Sequence, residues 1–224
     1  VKVSELTEQT VERRPTGSQV WADAFKAAEI QFDQLETKVL DFAGVLLELV
    51  QATGLPSMDL CGLSDPYAVI TVRNAKTPEA TVCDVRTSAV CKSTKEPEWN
   101  QDFVLPIPPE DVPDAQLIVD LYDQDVGDDD DFIGRVRLKL SDMEAKWTDQ
   151  WYELAIEDSS YAKIAEPDED LTQALPPLGL LRLRIRWVPS INAKSSGLTL
   201  QEDAKLQRAC LEMVQKGLVA NKQP

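Results

Sequence analysis

Leu121-Tyr122-Asp123-Gln124-Asp125-Val126-Gly127-Asp128-Asp129-Asp130-Asp131-Phe132-Ile133-Gly134 is the stretch whose reading decides the fold. It could be a helix-loop-helix cation loop or an acidic connection between strands. The first option can be tested directly, because a twelve-residue EF-hand loop opening at Asp123 needs Gly at its sixth position and Glu at its twelfth. Those positions hold Asp128 and Gly134. The flanking segments Gln116 to Tyr122 and Gly134 to Lys139 also have strand character, so the acidic run is a loop between two strands.

The same pattern extends outward in both directions. From Gly44, Val45, Leu47 and Leu49 alternate with Leu46, Glu48 and Val50, the period of two that marks a half-buried strand. Further strands are expected at Tyr67 to Arg73, Val82 to Val90, Asp102 to Leu105, Gln150 to Leu154 and Leu180 to Val188, separated by turns rich in Pro, Gly and Asp. With Val45 to Ala52 and the two beside the acidic run, this predicts an all-β domain over 43–189, an eight-stranded antiparallel β-sandwich. An acidic insertion over 155–177 is expected to be a surface loop, partly disordered.

The flanks read differently. Residues 1–17 are polar and look like a linker. Trp21, Phe25, Ala28, Phe32, Leu35 and Val39 recur at steps of three and four, which predicts an amphipathic helix over 18–42. Residues 190–224 read as a helical extension that leads out of the domain, with Leu200, Ala204, Leu206, Leu211, Val214 and Leu218 on one face.

Composition narrows function. The 224 residues carry 23 basic and 39 acidic side chains, a formal net charge of -16, so nucleic acid is repelled and an anionic membrane is repelled too unless cations intervene. No histidine is present, which removes Ser-His-Asp and Cys-His catalysis and His-ligated metals. No nucleophile paired with a base, phosphate loop or Rossmann fingerprint is found, and the chain is not expected to be an enzyme. Four cysteines without a Cys-x-x-Cys pair or a signal peptide fit a reduced, cytoplasmic setting, and the start at Val1 fits a segment of a longer protein.

Two loops gather carboxylates that folding does not require. One is the acidic run; the other, Leu55 to Tyr67, carries Asp59 and Asp65 six residues apart between two strands. Clustered carboxylates disfavour one another's ionisation, so the cluster needs cations. A flexible, oxygen-only donor set suits Ca²⁺ better than Mg²⁺.

These residues resemble the C2 domain, the calcium-dependent phospholipid-binding sandwich found in synaptotagmins, protein kinase C and extended-synaptotagmin-like tethers. The resemblance covers roughly Gly44 to Pro189. It rests on Ser64-Asp65-Pro66-Tyr67, Lys95-Glu96-Pro97-Glu98-Trp99-Asn100-Gln101-Asp102-Phe103, Asp123-Gln124-Asp125, Asp131-Phe132-Ile133-Gly134, Trp151-Tyr152-Glu153-Leu154 and the closing strand from Gly179 to Trp187. It implies that Asp59, Asp65, Asp123, Asp125 and Asp131 ligate Ca²⁺. Asp128 and the main-chain carbonyls of Met58 and Gln124 would supply further oxygens. Leu60 and Val126, with Cys61, would enter the bilayer shallowly, and Pro97 and Trp99 would serve folding.

The lysine-rich strand that binds phosphoinositides in this family is only weakly matched, by Arg73, Lys76, Arg86, Lys92 and Lys95. Arg182, Arg184 and Arg186 form a basic stripe at about 7 Å spacing. The stripe either pairs with Glu48 or the acidic insertion, or binds an anionic headgroup.

Three functions compete. The first is Ca²⁺-dependent peripheral binding to anionic phospholipid on the cytoplasmic face of membranes, as a targeting or tethering module of a larger protein. The second is a protein-interaction module in which Ca²⁺ is structural and the helical flanks bind partners. The third is the non-catalytic part of a lipid-modifying enzyme.

Overall fold

The computed structural model describes residues 42–58, 63–125, 127, 129–156, 162–165, 178–190 and 197–220. The expected linker at 1–17, the expected helix up to residue 41 and most of the acidic insertion lie outside the described residues.

The described strands are β1 (Ala43–Thr53), β2 (Pro66–Asn74), β3 (Thr77–Thr81), β4 (Arg86–Thr87), β5 (Glu98–Ile107), β6 (Ala115–Asp123), β7 (Asp131–Lys139), β8 (Trp147–Glu153), β9 (Ile164–Ala165) and β10 (Leu180–Val188). They form two antiparallel sheets. Sheet A has the order β5-β1-β10-β8-β9 and sheet B the order β3-β2-β6-β7, with β4 also paired to β2. The antiparallel β-sandwich is therefore as expected, with a higher strand count.

Two differences account for the extra strands. Of the strand expected over Val82 to Val90 only β4 forms, because the chain turns inward at Cys83, which is buried, and places Asp84 and Val85 outside, while the unexpected β3 precedes it at Thr77–Thr81. In the acidic insertion, Ile164 and Ala165 pair with Tyr152 and Trp151 on β8. That segment thus holds a short edge strand where a plain loop was expected.

The period-two reading holds in the core. Val45, Leu47 and Leu49 of β1 join Leu181, Leu183, Ile185 and Trp187 of β10 in one buried cluster with Leu117, Val119 and Leu121 of β6. Their neighbours point the other way: Glu48 faces Arg184 and Leu46 faces Arg186 across the β1 and β10 ladder. Gly179 precedes β10 with φ +82, and a Cβ there would sit 2.4 Å from the Thr53 carbonyl oxygen, so only glycine lets β10 start against the end of β1.

The helix α1 (Leu200–Ala220) corrects the expectation that the C-terminal segment leads away from the domain. It packs on the sandwich. Leu206 and Cys210 are fully buried, and Met213 packs against the core cluster. Leu200 and Ala204, assigned to the apolar face from sequence, are exposed. Leu206, also assigned to that face, is buried as expected, and the contact stripe continues through Cys210 and Met213, a spacing of four and three residues. A Cβ on Gly44 would lie 2.3 Å from Leu206 Cδ1, so the helix approaches β1 closely there. Lys205 pairs with Asp102 of β5, and Lys216 pairs with Asp84 of the β3–β4 connection. The helix therefore runs from the outer face of sheet A across β5 toward sheet B, covering an edge that would otherwise offer unpaired backbone groups.

Candidate metal centre and the basic stripe

Antiparallel pairing brings the aspartates to one end of sheet B. β2 begins where β6 ends, with Pro66 opposite Asp123, and β7 begins there as well, with Asp131 opposite Asp123. Asp65 immediately precedes β2. Four of the expected ligands, Asp65, Asp123, Gln124 and Asp131, are thus adjacent, while Asp125 lies in the loop beyond. Expected ligands Asp59 and Asp128, and the expected bilayer contacts Leu60, Cys61 and Val126, lie outside the described residues.

Hydrogen bonds bind this end together. The Asp65 N–H donates to Asp123 Oδ1 at 2.5 Å, and the Gln124 N–H donates to the Asp65 carbonyl at 3.1 Å. The Met58 N–H donates to Ser64 Oγ at 3.2 Å, which ties the first loop to the start of β2. In the second loop the Asp125 N–H donates to Asp130 Oδ1, and the Tyr67 hydroxyl donates to Asp130 Oδ2 at 2.5 Å. Tyr67 stacks on Tyr122, which meets Phe132 edge to face, and the Tyr67 hydroxyl ties this aromatic row to Asp130 of the second loop.

The charges are unevenly compensated. Asp123 is 1% exposed, and its Oδ2 is buried without a hydrogen-bond partner among the described residues. A buried carboxylate oxygen left in that state is costly. Asp65, by contrast, receives Lys92 Nζ on Oδ2 at 2.9 Å and the Ser93 N–H on Oδ1 at 2.7 Å. Lys92, then the Ser93 N–H, hold its carboxyl below the ordinary aspartate value. The Tyr67 hydrogen bond does the same for Asp130, while burial, reinforced by that carboxylate, pushes the Tyr67 phenol up to about 12. Among the described residues no three carboxylates converge at metal-ligating distance.

The donor set nevertheless fits a hard cation. It is oxygen-only, it sits at strand ends and in the loops beside them, and it contains Asp123 Oδ2, unpaired among the described residues. Lys92, Ser93 and Asp130 were not singled out as metal-site residues from sequence, Lys92 being named there only as a weak match to the lysine-rich strand. Lys92 lies in an irregular segment with no periodicity, and its proximity to Asp65 comes from the backbone pairing of Cys91 with Pro66 and of Thr94 with Ser64.

The basic stripe on β10 is neutralised. Arg182 makes a two-pronged contact with Asp149, at 2.8 and 2.9 Å. Arg184 meets Glu48 at 3.1 Å and lies 4.9 Å from the centre of the Trp147 ring. Arg186 meets Glu202 of α1 at 3.4 Å and donates to the Gly197 carbonyl at 2.8 Å. Pairing with Glu48 is as expected; the other carboxylate partners among the described residues are Asp149 and Glu202.

Glu202 is the hub of this region. It accepts from Trp147 Nε1 at 2.9 Å and from the Thr199 N–H at 2.7 Å, while its own N–H donates to Thr199 Oγ1. Thr199 and Glu202 form a capping box, and the Thr-x-x-Glu spacing is a sequence signal that could have located the start of the helix. Burial alone would push the Glu202 carboxyl up, but the hydrogen bonds from Thr199 and Trp147 and the Arg186 charge outweigh it and hold it below its ordinary value.

Comparison with known proteins agrees with this architecture. The C2 domain model matches residues 44–154, and that part of the chain belongs to the C2 domain family. The chain is 31% identical over 97 residues to Rabphilin-1 of Caenorhabditis elegans, covering 43% of this chain and 8% of that protein. It is 37% identical over 101 residues to a calcium-dependent lipid-binding protein of Arabidopsis thaliana, covering 45% of this chain and 18% of that one. The match thus spans under a fifth of either relative. Among solved structures, a single C2 domain of a plant extended synaptotagmin 1 aligns with TM-score 0.49 and 22% identity over 66% of this chain and 95% of that one. A calcium-bound pair of C2 domains from extended synaptotagmin 2 aligns with TM-score 0.47 and 27% identity over 65% of this chain and 45% of that one.

Proposed function

We propose that the chain is a Ca²⁺-dependent, peripheral module for anionic phospholipid membranes, and that it targets or tethers a larger protein at the cytoplasmic face. The observation that carries this is the buried Asp123 Oδ2, unpaired among the described residues, at the end of sheet B where Asp65 and Asp131 also lie. A calcium-dependent lipid-binding protein among the relatives supports the same reading. Asp59, Asp65, Asp123, Asp125 and Asp131, with Asp128 and the carbonyls of Met58 and Gln124, would hold the metal. Held there, Ca²⁺ would supply positive charge to offset the acidic loops and attract phosphate oxygens of a headgroup.

The chain's own contribution is positional. The strand ends fix Asp65, Asp123 and Asp131, and the Tyr67 hydroxyl, on a ring stacked against Tyr122, holds Asp130 of the second loop. Leu60, Cys61 and Val126 would add a small apolar contact with the interface. Among the described residues no helix is long and apolar enough to cross a membrane, so the affinity in this reading comes from surface contact. The alternative of a partner-binding C-terminal flank is weakened by α1 itself, which spends Leu206 and Cys210 on its own sandwich.

Cosedimentation with phosphatidylserine and phosphatidylcholine vesicles, with and without Ca²⁺, tests the reading. Binding to the anionic vesicles only in Ca²⁺ is expected. Equal binding in chelator, or Ca²⁺ that neither binds nor raises the melting temperature, would refute it, because an ion that binds only the folded loops must stabilise them.

A further inference from the structure

Both oxygens of Asp65 are engaged by one dipeptide. Lys92 Nζ takes Oδ2 and also lies 2.9 Å from Gln124 Oε1, while the Ser93 N–H takes Oδ1. Ser93 reaches it only by adopting φ 52, a left-handed conformation disfavoured for a residue with a Cβ. The segment is anchored on either side by the Cys91 N–H on the Pro66 carbonyl and the Thr94 N–H on the Ser64 carbonyl. The Lys92 side chain is 58% exposed, so water can receive its ammonium when it lets go. Asp123 has no such partner for Oδ2 among the described residues. One of two neighbouring carboxylates is therefore countered from within the chain and the other is not.

We infer that Lys92 is a tethered counter-ion which a divalent cation must displace from Asp65, so that this lysine sets the threshold at which the pocket loads. The inference rests on the metal-binding reading above. Lysine suits the role because its ammonium is a compact, strongly hydrated point charge on a flexible stem, able to neutralise a carboxylate without the fixed two-pronged grip of arginine. In the metal-free state it relieves repulsion between Asp65 and its neighbours. A dication drawing on several carboxylates at once gains more from the pocket than a single ammonium does. Metal binding therefore requires the Lys92 contact to open, and its affinity is reduced by what that contact was worth. After exchange the ammonium stands free at the rim, where salt screens its repulsion of the ion.

The test is calorimetric titration of the full chain with CaCl₂, in the absence of lipid, for the wild type, Lys92→Met and Lys95→Met. Lys95 is exposed three residues away, and its loss changes the net charge equally, which separates a local contact from the general field. Lys92→Met should bind Ca²⁺ about two- to fivefold more tightly, the range for releasing one exposed ion pair, with the gain shrinking at higher salt. Lys95→Met should change affinity by less than about twofold at such a distance in water. Unchanged or weaker binding by Lys92→Met, or an equal gain in Lys95→Met, overturns the inference while leaving the metal site intact. If the wild type and both variants fail to bind Ca²⁺, the pocket reading falls and takes the inference with it. Thermal melting of each metal-free protein establishes that the variants are folded.

Discussion

On the outer face of sheet A, Arg182, Arg184 and Arg186 each meet a carboxylate, from β8, β1 and α1 respectively. At the loop end of sheet B, Asp65 just before β2, Asp123 ending β6 and Asp131 opening β7 lie at neighbouring strand ends, Lys92 offsets Asp65, and Asp123 Oδ2 is left without a partner among the described residues. Both clusters are dense in charge, and both were visible in the sequence as possible binding surfaces. The difference is balance. A cluster that satisfies itself stabilises the fold and asks for nothing from outside, whereas one that leaves a buried carboxylate oxygen unpaired carries a desolvation cost that, in the function proposed above, a cation from solution would offset.

The largest expected effect comes from removing the imbalance. Replacing Asp123 and Asp125 with Asn should abolish Ca²⁺-dependent vesicle binding, a loss of at least about a hundredfold, because affinity in such sites follows the number of charged oxygens. The metal-free fold should keep its melting temperature or gain slightly, since two like charges leave a repulsive group. A double variant that cosediments with phosphatidylserine vesicles as well as the wild type would erase the contrast.

The next effect belongs to the balanced cluster. The Arg186 and Glu202 side chains are 11% and 20% exposed, and Glu202 also receives Trp147 and caps α1. Glu202→Ala should cost about 2–4 kcal/mol in denaturant unfolding, because it removes the carboxylate that faces a mostly buried guanidinium and takes away the acceptor of the Trp147 N–H. Calcium binding by the same variant should be unaltered. A cost under about 0.5 kcal/mol, the scale of an ordinary surface change, would mean that α1 is not fastened here.

The sequence displayed the sandwich because alternation is local: Val45, Leu47 and Leu49 announce a face before any partner is known, and so do Leu183, Ile185 and Trp187. It displayed the aspartates because they crowd two loops. Hidden were features that depend on who lies opposite. Arg182 finds Asp149 only through the β10 and β8 register, and Arg186 finds Glu202 only once α1 folds back. The break at Cys83, the pairing of Ile164 with Tyr152 and the buried stripe of α1 are likewise set by tertiary contact. Lys92 belongs with these, since nothing in Cys91-Lys92-Ser93 points to Asp65 until β2 and its neighbours pair.

A smaller effect sharpens the comparison from the exposed end of the stripe. The Arg182 and Arg184 side chains are 37% and 47% exposed, so replacing both with Gln should cost about 0–1 kcal/mol for each pair. Vesicle affinity in Ca²⁺ should stay within about twofold, since charges already paired have little left to offer a headgroup. If affinity and its salt slope fall together, the stripe does contact lipid, and self-satisfaction fails as a criterion.

The smallest effect is one of pH. Asp149 titrates below its ordinary value, chiefly through the hydrogen bonds from Arg182, with the Arg182 and Arg184 charges adding to this. A carboxyl whose folded value lies below its unfolded one contributes stability that is present above the unfolded value, about 3.9, and lost as pH falls through the folded one. Arg182→Gln removes the main cause, so its melting temperature should lie slightly below that of the wild type near neutral pH. The two curves should converge as pH falls through the folded value, once Asp149 is protonated in both folded and unfolded chains. Both partners are more than a third exposed, so solvent screens the pair and the gap should also narrow in high salt. Melting curves from neutral pH down to about pH 2.5 at two salt concentrations measure it. A gap that persists unchanged into acid would mean that Arg182 supports β10 through the packing of its aliphatic stem rather than through its charge.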